Sequence, residues 1–258
     1  MKKTLVIAGA GILTFAAIGL TQASADTVEK SFNVEAGGTL YVDSDSGAID
    51  IESHDGDTVE IRVDKRGKNA DDFTVTFEQD GSDVKIDGDK DSGWGNYSLS
   101  VKYSIKVPKS YNLDLKTGGG SIEIEDLNGE IDAYTSGGSI ELGQINGDVD
   151  VKTSGGSITV DDVYGNIDAN TSGGSIKAKL SKQLTDDCKL TTSGGSISAY
   201  LVPSMAIDLN ASTSGGRVKS EFDVDGKVKK TRIRGSINGG GPELTLRTSG
   251  GSVSIKEL

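Results

Sequence analysis

The chain has one histidine, one cysteine, one tryptophan and three prolines in 258 residues. With His54 alone, a multi-histidine metal site has no material and a His-dependent triad has little. With Cys188 alone, no intramolecular disulfide can form, whatever the compartment. Hydrophobic residues are 34% of the chain, below the share of an ordinary globular protein, so one thick core is not expected. A thin core repeated along an axis fits that composition. Positive charge is also short, with 27 Lys and Arg against 39 Asp and Glu and a net charge of -12, which disfavours general affinity for nucleic acid. An acidic, hydrophilic surface instead keeps an elongated protein soluble. Beyond Leu20 nothing is apolar enough to span a membrane.

The first residues have the three parts of an export signal. Lys2 and Lys3 carry charge, Thr4 to Leu20 carry none, and Ala23-Ser24-Ala25 offers small residues for cleavage. Residues 1–25 are therefore expected to leave as a signal peptide, with the mature chain starting at Asp26. Loss of the two lysines takes its net charge to -14. Kept uncleaved, the same run is an anchor at the short end of bilayer-spanning length. Either way the protein is expected to be exported, to the periplasm, the cell surface or the medium.

What the chain has in quantity is glycine, 36 residues, arranged in a repeat. Thr117, Thr135, Thr153 and Thr171 open a recurring phrase at a strict 18-residue interval, in its commonest form Thr-Ser-Gly-Gly-Ser-Ile. Thr192 and Thr213 follow at steps of 21, and Thr248 closes the series after 35. The long gap contains Arg234-Gly235-Ser236-Ile237, a degraded copy, so a further coil is expected there. Within each coil apolar residues alternate with polar ones, as in Ile140, Leu142, Ile145, Val149 and Val151. Period two means strand. A short amphipathic strand cannot bury its apolar face alone, but coils stacked about 4.8 Å apart pair every backbone group and line up one interior. The expected fold is all-β, a parallel β-solenoid of coils of about 18–21 residues, right-handed on the general preference of parallel crossovers. Glycine pairs such as Gly137-Gly138 and Gly155-Gly156 are expected to supply positive φ at the corners. Residues 26–110 form a less regular β region with a capping hairpin and residues 111–258 the regular repeats, all in one continuous elongated domain.

With these residues in view, the chain resembles a family of bacterial envelope adhesins of unknown function, the LiaG-like and head-GIN type of β-solenoid domain. The resemblance lies in Leu40-Tyr41-Val42, Val107-Pro108, Leu113-Asp114-Leu115-Lys116-Thr117 and the recurring Thr-Ser-Gly-Gly-Ser-Ile, over nearly all of the mature chain. It implies the fold and an adhesive role, and it carries over no binding residue, because the shared residues are turn and core residues.

Several residues are candidates for chemistry. By parity the threonines point inward or into the corner, and Ala133, Val151 and Ala169 precede them by two, so the paired threonines of an ice-binding array are absent. The further glycine and aspartate of calcium-binding nonapeptide turns are absent too. Asp132, Asp150 and Asp168 share one phase and should stack outward beside Glu130 and Asp148, as solvated charges or a loose calcium site. Trp94, Tyr97 and Tyr103 gather near glycines, where they either seal an end of the solenoid or stack on sugar rings. Cys188 falls on an inward phase and His54 on a surface turn. Lys227, Lys229, Lys230, Arg232 and Arg234 form one basic island, either a guard on a sheet edge or a contact for an anionic envelope polymer, a lipid headgroup or the acidic flank of another copy; the partner expected overall is an envelope polymer, glycan or protein. The functional expectation is a non-enzymatic envelope or secreted binding scaffold with no cofactor. A carbohydrate-active solenoid enzyme, a lyase or hydrolase, and a purely structural spacer are the alternatives.

Overall fold

Alternation of apolar and polar residues is realised throughout the computed structural model, which describes residues 27–91 and 98–258. Residues 1–26, with the expected signal peptide, and the candidates Trp94 and Tyr97 lie outside the described residues. Among the described residues there are 24 strands and no helix, in two sheets of twelve strands that face each other across a thin core. Each regular coil lays one strand on each sheet. Val149–Thr153 lies in the second sheet, the Gly-Gly corner turns the chain, and Ile158–Val163 lies in the first.

Register follows the repeat residue by residue. Val149 pairs with Ile131 and Ile167, and Ile158 with Ile140 and Ile176, all in parallel. The apolar half of each strand is thus stacked into inward rows in which these six side chains are at most 3% exposed. Cys188 continues the row of Val149 and Ile167, where burial pushes its thiol up to about 11.

The threonines form the corner ladder. Thr153 Oγ1 donates to the Gly138 carbonyl of the neighbouring coil at 2.7 Å and accepts from its own Gly156 N–H at 3.4 Å. Thr135, Thr171 and Thr192 repeat the donated bond at 2.7 Å. A parallel serine ladder runs beside it, Ser139 Oγ accepting from Ser157 N–H at 3.2 Å and Ser157 Oγ from Ser175 N–H at 3.1 Å. At the first corners Gly47 and Gly120 have the expected positive φ, 139° and 127°, but the corner glycines of the regular coils are required for a different reason. Gly138 and Gly156 do not have left-handed φ; a Cβ on Gly156 would lie 2.2 Å from the Gly138 carbonyl oxygen. Close stacking of backbone on backbone excludes the side chain.

The coils are not stacked in chain order. The strand Glu243–Thr248 inserts between Cys188–Thr192 and Ile207–Thr213, and Val253–Glu257 inserts between Ile197–Leu201 and Val218–Ser220. The last coil of the sequence is therefore the penultimate one in space. Both ladders follow this order: Thr248 donates to Gly195 O, Thr213 to Gly251 O, and Ser252 Oγ accepts from Arg217 N–H.

Antiparallel strands close the ends. At the N-terminal end Phe73–Asp80 closes the second sheet, while Thr58–Arg66 and Thr27–Asn33 close the first. Tyr103, fully buried, places its hydroxyl 2.8 Å from Ser44 Oγ, which holds the threonine position of its coil. At the C-terminal end the degraded phrase does not make a coil. Arg234 to Ile237 belong to the antiparallel strand Arg232–Ile237, which pairs Ile207–Thr213 on one side and Asp225–Lys229 on the other. Without the threonine and paired glycines there is no corner, and a Cβ on Gly235 would meet the Asp225 carbonyl oxygen at 2.3 Å.

Candidate binding face

The outward side of the second sheet runs without interruption over nine strands, from Asn112–Thr117 to Asp225–Lys229. At about 4.8 Å per strand this is a surface about 38 Å long. Because strand side chains alternate, residues two apart in each strand form parallel rows along it. The middle row reads Asp114, Asp132, Asp150 and Asp168, then Lys189, Thr245, Asn210, Arg234 and Lys227. The row nearer the corner reads Lys116, Tyr134, Lys152 and Asn170, then Thr191, Arg247, Ser212, Arg232 and Lys229. The two candidate clusters found in the sequence thus lie on one face, acidic towards the N-terminal end and basic towards the C-terminal end.

The acidic half is partly compensated. Lys116 pairs with Asp114 and Lys152 with Asp150, each at 2.9 Å. Asp132, between them, has no lysine two residues on. Burial, and then the carboxylates of Asp150 and Asp114, push its pKa up. With Tyr41, Glu130 and Asp148 these aspartates line a shallow concavity of ≈ 510 Å³. Asp132, Asp150 and Asp168 stand in single file on adjacent strands, and among the described residues no three His, Cys, Asp or Glu are grouped so as to hold a metal ion.

The basic half makes no salt bridge among the described residues, although the hydrogen bonds from Thr245 and Asn210, and then the charge of Arg234, hold the Glu243 carboxyl below its usual range. Every ion pair among the described residues involves a cation at or before Lys179. Lys189, Lys227, Lys229, Arg232, Arg234 and Arg247 are exposed, and none makes a salt bridge. The adjoining row carries Glu243, Asp208 and Asp225, and the first two are held by hydrogen bonds. Glu243 accepts from Thr245 Oγ1 at 2.6 Å and Asn210 Nδ2 at 3.2 Å, and Asp208 accepts from Ser236 Oγ at 2.7 Å. Lys230 sits in the hairpin turn beside this group, where its carbonyl accepts from Val218 N–H.

Sequence reasoning missed Lys189 and Arg247. Their phases were visible: Lys189 stands three before Thr192 as Asp150 does before Thr153, and Arg247 stands one before Thr248 as Lys152 does. The remaining singled-out residues are structural. His54 Nε2 lies 2.8 Å from the Thr58 carbonyl, and Nδ1 accepts from Gly56 N–H at 3.1 Å. Tyr103 is an end seal, its hydroxyl pushed up to about 12 by burial.

An all-β solenoid of stacked coils with one long charge-sorted face is the class these features define. The sequence profile of Toastrack DUF4097 matches residues 39–164 and again 139–256, and the chain belongs to that family. No curated protein matches it. Among solved structures, a candidate cell adhesion protein from Clostridium sporogenes is similar at 15% identity and a TM-score of 0.40, over 90% of this chain and 100% of that one. A candidate adhesin from Bacteroides fragilis is similar at 14% identity and a TM-score of 0.32, over 91% and 98%. A candidate lipid binding protein from Parabacteroides distasonis is similar at 15% identity and a TM-score of 0.26, over 91% and 97%. No helix among the described residues is long and apolar enough to cross a membrane.

Proposed function

We propose that this chain is an exported, non-enzymatic binding scaffold of the cell envelope, adhesin-like, whose contact surface is the outward face of the second sheet. The observation that carries this reading is the sorting of charge along one continuous face: partly paired acids at one end, cations without salt bridges at the other. Backbone pairing along the sheet fixes the spacing at which these side chains leave it, though the long cationic side chains still turn about their own bonds. Such a face offers rows of set spacing to a partner rather than a closing pocket. The residues that recur in every coil are spent on corners and core, which leaves the outward positions free to differ from coil to coil and to encode that pattern. The leader-like segment before Asp26 supports export.

The test is to express the full chain with a C-terminal tag, separate cytosol, envelope and medium, and wash the envelope with rising salt. Retention in the envelope fraction and release by salt are expected. The chain in the cytosol, or turnover of an envelope polysaccharide by the purified protein, would overturn the reading. Neither ligand nor product, with the chain still in the envelope, would instead leave the spacer.

A further inference from the structure

We infer that the cationic strip at the C-terminal end of the second sheet is a docking surface for a linear, non-aromatic phosphodiester polymer. The inference deepens the proposed function and rests on it for the cellular setting only. The strip consists of Lys189, Lys227, Lys229, Arg232, Arg234 and Arg247, on four strands within a span of five, about 19 Å from first to last at 4.8 Å per strand.

Three observations separate this strip from an ordinary solvated surface. Its cations face each other directly across the hairpin, Lys227 opposite Arg234 and Lys229 opposite Arg232. Like charges so placed oppose strand pairing, and here no carboxylate within ion-pair reach relieves them. Edge protection explains only part of it. Asp225–Lys229 is the edge strand, whereas Arg232, Arg234, Arg247 and Lys189 lie on interior strands that need no guard. The chain has six arginines, and three of them stand on this strip, where their planar forks suit phosphate oxygens.

The surroundings define the partner. Ser212 lies between the cations in the corner row and supplies a neutral hydroxyl, while Asn210 and Thr245 in the middle row are neutral side chains that donate to Glu243. No aromatic side chain stands in those rows on this half; Tyr134 and Tyr41 belong to the acidic half, so there is no platform on which nucleobases stack. Beyond Lys189 the row turns to Asp168 and Asp150, which repel a polyanion and confine it to the strip. The surface therefore fits a flexible chain read by its charges, a few repeat units long, and neither a duplex nor a stacked single strand.

The test uses residues 26–258 and a synthetic oligomer of propane-1,3-diol phosphodiesters, with oligogalacturonate and oligothymidylate of equal charge as comparators. Four contacts at the salt dependence of a flexible polyanion correspond to a loss of about fifty-fold in affinity between 50 and 200 mM salt. Arg232→Gln with Arg234→Gln should flatten that dependence by about two contacts, whereas Lys102→Gln with Lys106→Gln, whose lysines are paired to Asp50 and Glu52, should leave it unchanged. Circular dichroism of each variant confirms the β-fold before binding is read. No binding of the phosphodiester, equal or tighter binding of either comparator, or unchanged binding by the arginine variant would overturn the inference. Envelope retention that survives the arginine variant would sink this inference while sparing the scaffold reading. Phosphodiester binding by a chain found in the cytosol would do the reverse.

Discussion

Replacing Thr153 by valine separates the two ways in which the corner ladder could stabilise the stack, hydrogen bonding and packing. Thr153 is 4% exposed, and its hydroxyl donates to the Gly138 carbonyl at 2.7 Å and accepts from Gly156 N–H at 3.4 Å. Valine nearly preserves the volume and favours strand, but it strips the Gly138 carbonyl of its hydroxyl donor. A buried polar group left unpaired costs about 1–3 kcal/mol, and since the 3.4 Å bond is long, most of a loss of about 2 kcal/mol comes from the donated one. Serine keeps the hydroxyl and removes one buried methyl, about 0.8 kcal/mol. The order expected for stability is therefore wild type, then Thr153→Ser, then Thr153→Val; packing alone predicts that serine is the worse. Urea titration of residues 26–258, read as midpoint shifts at constant slope, measures both. A valine variant as stable as the serine variant, or more so, would refute the reasoning.

Three further predictions follow from the same geometry. Gly156→Ala, whose Cβ would fall 2.2 Å from the Gly138 oxygen, should cost at least about 3 kcal/mol in urea titration, whereas Gly119→Ala, with nothing within 4 Å, should stay within about 0.5 kcal/mol; equal effects would contradict the stacking argument. Truncation after Gly241 removes both strands that tie Ile207–Thr213 and Val218–Ser220 to the rest of the stack, so trypsin should cut rapidly after Arg217, Lys219 and the Lys and Arg residues of 227–234 while sparing the earlier coils; a truncated chain as resistant at those sites as the full one would contradict the inserted order. Burial raises the Cys188 thiol from 9.0 to about 11 and the Tyr103 and Tyr111 hydroxyls from 10.0 to about 12. A folded-state pKa above the unfolded one gives stability that is complete below the unfolded value and lost as pH rises through the folded one, so urea midpoints should hold up to about pH 9 and fall from there to about 12. A flat profile over that window would show that these groups reach solvent in the fold.

The rows were legible because period two and the 18-residue spacing together fix both the facing and the register of each strand. Val149 had to stack on Ile131, and Cys188 on Ile167, once the threonines were aligned. The order of coils was not legible from the spacing, since any coil presents the same paired edge to any other. One residue did carry it. The serine after each glycine pair caps the next coil's N–H, and the phrase at Thr213 has Arg217 in that place because no coil follows it in space, while Ser252 is retained because one does. The hairpin was misread as a coil because Ser236-Ile237 fits the end of the phrase, although the missing threonine and second glycine had already removed the corner. The binding face was half legible: its two charged clusters were found separately, but their common row depends on Glu243–Thr248 lying between Cys188–Thr192 and Ile207–Thr213.

The most direct measurement places a photocrosslinking residue at single outward positions and asks which side of the solenoid touches envelope material in living cells. Positions 212 and 232 on the second sheet should yield high-mass adducts, while positions 123 and 198 on the first sheet should yield none. Adducts from the first sheet alone, or equally from both sides, would contradict a binding surface confined to one face.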